Sequence, residues 1–358
     1  MKRPGGVAER GAVPVSTLLP LPDGVHALSL TRHAGHRRLH RGREPDVTAA
    51  MQRGWILSTA LYLVAGIAFA GCAGTDPYGG TRPVRLPEVA TELVQVTTSD
   101  GIRLDGALWT PAGGPGRKPA LLLVHGYAGN FYTGWPGLAR GLAQKGHLTL
   151  ALNMRDHDLT PQTSLFEDNR ADIEAVVNLL MARGAAFVVL VGQSLGTNRV
   201  LFYQADTQDP RVRGLVLMAG PGNLLEWNIR IFGRERALAV LTEAQRSVQE
   251  GRGAELMLVD LGPLGKVLYS AQHVVSLRGP GTRSDPFQNI ARVNIPILIL
   301  HGTADRLADP AVAERLRAAA VATPSVQPYM IPGAGHALPE RVEDILPILG
   351  RWLEAISK

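Results

Sequence analysis

The sequence contains a single cysteine, Cys72, among 358 residues. That excludes an internal disulfide framework and any zinc site made of several thiolates. No apolar run reaches the roughly 20 residues that a bilayer-spanning helix needs. The longest, from Ile56 to Ala70, stops at 15. An excess of one charge is also missing from most of the chain. The formal net charge is +6, but nine of the 37 Lys and Arg and four of the 31 Asp and Glu lie within residues 1–71, leaving 28 basic against 27 acidic side chains beyond. A body so close to neutral gives no electrostatic case for a polyanionic partner, and nucleic acid is not expected. With 45% hydrophobic and 19% charged residues, the composition fits neither a disordered chain nor a membrane bundle. A globular enzyme or binding protein remains.

Residues 1–50 show neither helical nor strand periodicity and read as a disordered leader or a misassigned start, with translation beginning at Met51. His33, His36 and His40 have metal-like spacing there but no scaffold, so no metal is expected. Residues 51–71 combine Arg53, the apolar stretch and small residues at its end, which are the parts of a secretory signal peptide. Phe69-Ala70-Gly71-Cys72 resembles the lipobox of bacterial lipoproteins, with Phe69 where that pattern prefers Leu. The resemblance implies lipidation of Cys72. It implies a protein anchored in the bacterial cell envelope, at the outer membrane, with its folded part facing the periplasm. Ordinary cleavage after Ala70 and retention as an uncut anchor are the alternatives. Residues 72–90, rich in Gly, Pro and Thr, read as a tether.

From residue 91 onward, short β-branched runs alternate with longer amphipathic stretches, the pattern of an α/β sheet that is mostly parallel. Glu92 to Thr98 and Ile102 to Trp109, joined by Ser99-Asp100-Gly101, form an expected opening hairpin. Six further apolar runs start at Ala120, Leu148, Phe187, Leu215, Ile297 and Val326 and read as buried strands. Between the fourth and fifth of these lies a long connection with two or three helical patterns. It divides the body into a core of residues 91–220 and 291–358 and an inserted helical lid, 221–290. Leu224, Leu225, Trp227, Ile229, Ile231 and Phe232 in that insertion either line an acyl pocket, touch lipid or pack the lid against the core.

Gly192-Gln193-Ser194-Leu195-Gly196 follows the strand-like run FVVLV and precedes a helical pattern, the setting that the G-x-S-x-G motif requires. Glycine is needed on both sides because so tight a turn leaves no room for side chains. The turn presents Ser194 at the strand end, near the positive pole of the next helix. A serine hydroxyl needs a base to become a nucleophile. His336, in Gly333-Ala334-Gly335-His336-Ala337 after the last strand, supplies one, whereas His125, His147, His157, His273 and His301 read as structural. The base in turn needs a carboxylate to fix its tautomer. Asp305, just past the preceding strand, fits, with Asp309 as a substitute. The loop His125-Gly126-Tyr127-Ala128-Gly129 after the third strand offers an oxyanion hole, with the backbone amides of Tyr127 and Leu195 as donors.

On these motifs, residues 91–356 resemble the α/β-hydrolase superfamily, and the order Ser194, Asp305, His336 is the one that superfamily uses. Gln193 stands where His is common. The resemblance implies an α/β-hydrolase fold with a mostly parallel eight-stranded sheet flanked by helices, and a triad of Ser194, Asp305 and His336. It implies no cofactor and a small-molecule or lipid acyl ester as substrate. It also makes the dehalogenase and epoxide-hydrolase branches poor fits, since those use Asp in place of Ser194. An acyltransferase or peptidase could use the same three residues, and a non-catalytic envelope scaffold could keep the same fold.

Overall fold

A computed structural model describes residues 89–260 and 265–358. The proposed leader, the signal peptide with Cys72 and nearly all of the tether lie outside the described residues.

The chain enters through β1 (Val89–Thr97) and β2 (Arg103–Pro111), an antiparallel pair closed by Thr98 to Ile102. It continues through β3 (Ala120–Val124), α1 (Trp135–Gln144), β4 (Thr149–Leu152), α2 (Asn169–Ala182), β5 (Val188–Gln193), α3 (Leu195–Thr207) and β6 (Val212–Met218). The order along the eight-stranded sheet is β1-β2-β4-β3-β5-β6, followed by β9 (Ile297–Gly302) and β10 (Val326–Ile331). From β4 to β10 every pairing is parallel, and β2 runs antiparallel to both of its neighbours.

The central strands are buried on both faces, and this explains their nearly unbroken apolar runs. The side chains still sort by the two-residue period. In β3, Leu122 and Val124 face the core layer packed by α2 and α3, while Leu121 and Leu123 face the layer packed by α1 and the C-terminal α9 (Val342–Ile356). β5 sorts in the same way, with Val188 and Leu190 on one side and Val189 and Val191 on the other. Trp352 of α9 lies directly over Gly214 of β6, where a Cβ would stand 2.8 Å from its ring. The glycine lets the helix sit close to the sheet.

Between β6 and β9 stand α4 (Leu224–Phe232), α5 (Arg234–Gln249), the hairpin strands β7 (Leu256–Asp260) and β8 (Lys266–Ser270), α6 (Ala271–Arg278) and α7 (Pro286–Ile290). Three helices of this segment have side-chain caps: Asn223 accepts from the amides of Leu225 and Glu226, Ser270 from that of His273, and Asp285 from those of Phe287 and Gln288. The hairpin was not anticipated. Val259, Val267 and Tyr269 turn inward, but Leu256, Leu258 and Leu268 are exposed on the other face. Apolar residues on both faces hide the alternation that would have marked two strands.

The segment has a small core of its own, built on Leu241, Val259, Tyr269 and Val274, with Tyr127 of the β3 loop packed against it. Polar ties fix it to the loops at the strand ends. Asn198 of α3 donates to the carbonyls of Gly222 and Ser284 at 3.0 and 2.9 Å, and Trp227 Nε1 donates to the Leu307 carbonyl at 2.8 Å.

Candidate active site

Strand β5 ends in a turn so tight that Ser194 adopts φ 53° and ψ −123°, a positive φ rarely seen outside glycine. Holding it there costs on the order of 1–3 kcal/mol, offset by backbone bonds: Ser194 N–H donates to the Met218 carbonyl at 2.8 Å, and Thr197 donates to the Ser194 carbonyl through both its amide and its hydroxyl. The two motif glycines are steric necessities. A Cβ on Gly192 would lie 2.3 Å from the Gly196 carbonyl oxygen, and one on Gly196 would lie 2.2 Å from that of Val124.

His336 follows β10, and its Nδ1 lies 2.8 Å from Asp305 Oδ2. The other carboxylate oxygen accepts from the amides of Leu307 and Ala308, each at 2.9 Å. His301 Nε2 approaches Oδ2 at 3.3 Å. Burial pushes the Asp305 carboxyl up, but the hydrogen bonds from His301, His336 and the Ala308 amide outweigh it and hold the group below its ordinary range. An ionised Asp305 accepts only, so His336 Nδ1 carries a proton toward it, and the neutral tautomer that this selects has its lone pair on Nε2. The acid and histidine loops are themselves stitched together by Ala304 N–H to the Ala334 carbonyl, 2.9 Å, and Gly333 N–H to Thr303 Oγ1, 2.8 Å.

The structure thus brings Asp305 and His336 into direct contact. Ser194 reaches the same place through its neighbour: Gln193 Nε2 donates to the His336 carbonyl at 3.3 Å. No hydrogen bond links the Ser194 hydroxyl to the His336 ring, an arrangement common before a substrate is bound. Asp309, the substitute acid, precedes α8 (Ala311–Ala319) and accepts from the Ala311 amide.

The β3 loop abuts the serine. A Cβ on Gly126 would fall 2.7 Å from Ser194 Cβ. The neighbouring Tyr127 amide and the Leu195 amide, at the first turn of α3, donate to no carbonyl among the described residues. His125 shapes this loop. Its Nε2 accepts from the Met154 amide at 3.0 Å, so its Nδ1 carries the proton and donates to the Gly126 carbonyl at 2.7 Å. Burial, reinforced by the charge of Arg199, lowers His125 to about 4 and keeps it neutral. Arg199 of α3 donates to the His125 carbonyl at 2.9 Å and places Nη2 2.6 Å from both oxygens of Asp156. That ion pair is buried and ties the helix carrying the serine turn to the donor loop.

A pocket opens at Ser194, lined by Tyr127, Leu195, Leu224, Trp227, Leu277 and Arg278 among others. Its free volume is about 30 Å³. The parts that nucleophilic displacement at a carbonyl requires are a serine at a strand end, an oriented imidazole, amides without a carbonyl partner and a pocket, and the described residues hold each of them.

Sequence reasoning singles out Ser194, Asp305, His336, Tyr127 and Leu195 but not five residues around them. His301 was read as structural, yet it contacts the acid, and its spacing from Asp305 was the available signal. Gln193 was noted only as a departure. The Arg199–Asp156 pair and Arg278 carry no local pattern that would have marked them.

An eight-stranded, mostly parallel sheet with these residues at its strand ends defines a hydrolase-type α/β fold. The sequence matches the Alpha/beta hydrolase family over residues 121–346, and the chain belongs to that family. It is 25% identical over 263 residues to a non-heme chloroperoxidase from Streptomyces lividans, covering 65% of this chain and 90% of the relative. It is 28% identical over 294 residues to the uncharacterized protein YfhR of Salmonella typhi, covering 79% and 85%. Among solved structures it is similar to Est1E from Butyrivibrio proteoclasticus, with 18% identity, 74% of this chain and 99% of that one covered, and a TM-score of 0.55.

Proposed function

We propose that the chain is a serine hydrolase that cleaves carboxylic esters or thioesters through an acyl-enzyme. The observation that supports this reading is the 2.8 Å contact between His336 Nδ1 and an ionised Asp305, which leaves Nε2 as the ring nitrogen available to act as a base. Ser194 Oγ attacks the acyl carbon while His336 takes its proton. The Tyr127 and Leu195 amides hold the oxyanion, and the ester C–O or thioester C–S bond breaks as His336 returns the proton to the leaving alcohol or thiol. Water, deprotonated by His336, then releases the acid and regenerates the serine.

The test is reaction with a serine-directed fluorophosphonate followed by peptide mapping. An adduct on the Ser194 peptide, absent from the Ser194→Ala variant, is the expected result; a wild-type protein that remains unlabelled contradicts the reading.

The similarity to a protein named a non-heme chloroperoxidase supports a second activity at the same site. Chlorination of an activated diketone by peroxide and chloride, lost in Ser194→Ala, is its readout.

The lipobox-like sequence at Cys72 supports a further proposal, that the hydrolase is lipid-anchored in a bacterial envelope and faces the periplasm. Two signals or several chains are needed for stable anchoring, and a lipidated N-terminal cysteine provides them. Mass spectrometry of the mature N-terminus decides it: a lipidated Cys72 is expected, and an unmodified start at Gly71 or Cys72 contradicts it.

A further inference from the structure

Arg278, the last residue of α6, lines the pocket that Ser194 opens into. Only 9% of it is exposed. Its Nε and Nη1 are buried and have no hydrogen-bond partner, and no described carboxylate forms an ion pair with it. It lies over the Tyr269 ring, whose centroid is 5.7 Å from Arg278 Cζ, and interacts with the Tyr269 hydroxyl, which is neutral and supplies no counter-charge. A buried guanidinium without a counter-charge is expensive to maintain. Among the described residues, two other arginines with largely buried side chains are neutralised: Arg199 by Asp156, and Arg155 by Asp172 and Asp100.

In the serine pocket Arg278 is joined by two phenols and no carboxylate, while Asp285 lines a second pocket that Arg278 also borders. Tyr269 lies edge-on to Tyr127 with ring centroids 6.4 Å apart, and both line the same pocket. The Tyr127 hydroxyl is also buried without a partner. Burial raises both phenols above their ordinary value, so they stay protonated and able to donate. Leu224, Trp227 and Leu277 supply the apolar walls. The pocket therefore offers an unpaired cation and protonated phenols beside the serine, joined to the oxyanion loop through Tyr127.

Resting on the serine-hydrolase reading, we propose that Arg278 is a specificity-determining residue and that the substrate is an ester carrying a carboxylate, which pairs with the Arg278 guanidinium while its ester carbonyl lies at Ser194. A carboxylate supplies the missing counter-charge and the acceptors that Nε, Nη1 and the Tyr127 hydroxyl lack. Its planar pair of oxygens matches the guanidinium fork.

The experiment compares, on the full chain, p-nitrophenyl monoesters of linear dicarboxylic acids from succinate to suberate with p-nitrophenyl esters of unsubstituted fatty acids of matched length. The wild type should prefer the anionic ester at one of these lengths. In Arg278→Met the ratio of the two kcat/KM values should fall by about tenfold to a hundredfold, and Arg278→Lys should recover part of it. A purely structural Arg278 would lower both esters together and leave the ratio unmoved, and that outcome overturns the proposal, as does a wild-type preference for the neutral series. Should Arg278→Met fail to fold, Tyr127→Phe, which keeps the backbone amide, gives the second reading: the ratio falls if its hydroxyl contacts the carboxylate.

Thermal stabilisation of Ser194→Ala by free glutarate separates the two levels of the account. Stabilisation that disappears in the Arg278→Met/Ser194→Ala background supports the anion site even if ester hydrolysis is never found. Ser194-dependent hydrolysis without anionic preference or glutarate binding sinks the anion site alone.

Discussion

Asp305 holds His336 through one carboxylate oxygen, at 2.8 Å, and commits the other to the amides of Leu307 and Ala308. The two amides fix the carboxylate plane, so the imidazole is aimed by backbone and not by a mobile side chain. In the proposed mechanism this relationship determines which ring nitrogen faces Ser194.

Asp305→Asn keeps the size and the bond to the amides but can donate toward His336, which favours the wrong tautomer. Ester turnover should fall by about 10³ to 10⁴ in kcat, with KM little changed. Steady-state kinetics on a short p-nitrophenyl ester check this. A loss confined to KM would mean that Asp305 serves binding and not the base.

Asp156→Asn should destabilise the fold by about 3–5 kcal/mol, because it leaves the buried Arg199 charge without its partner. The urea midpoint measures the loss. An unchanged midpoint would show that the pair does not hold the donor loop to α3.

Acid should weaken the protein before its carboxylates titrate. Burial lowers both His125 and His273 to about 4 from an ordinary 6.5. The unfolded chain therefore binds protons that the folded one refuses as pH falls through this window. Their contribution is complete above about pH 6.5 and lost toward about pH 4, at up to about 1.4 kcal/mol per pH unit for each histidine. Asp305, held low, adds stability above its ordinary 3.8 that disappears only at still lower pH. Urea midpoints at about pH 7.5 and about pH 4.5 should differ more for the wild type than for His273→Gln. Equal differences would remove His273 from the account.

Much of this was legible before any coordinates. The fully buried strands β3 and β5 announce themselves because a parallel sheet covered on both faces needs unbroken apolar runs. Gly192 and Gly196 flank Ser194 because the backbone there excludes a Cβ, so steric need is written directly into sequence. The choice of Asp305 over Asp309 rests on its place just past a strand, and in the structure Asp305 contacts His336 while Asp309 accepts from the Ala311 amide.

What stayed hidden depends on contacts between distant residues. Arg199 meets Asp156 across 43 positions, and nothing local marks either as buried. His301 reads as the close of a strand until the Asp305 loop folds back onto it. The β7–β8 hairpin escaped because Leu256, Leu258 and Leu268 put apolar side chains on its exposed face. Arg278 stood at the edge of a Gly, Pro and Arg-rich stretch, where a solvated charge is the ordinary expectation. Only the fold turns it into the serine pocket.

Hydrolysis of a short p-nitrophenyl ester by the purified wild type and by Ser194→Ala, side by side, tests the central claim most directly. The account predicts measurable wild-type turnover and a loss of at least about 10⁴-fold in the variant. A variant that retains wild-type turnover would contradict it, because the acyl group would then be leaving without passing through Ser194.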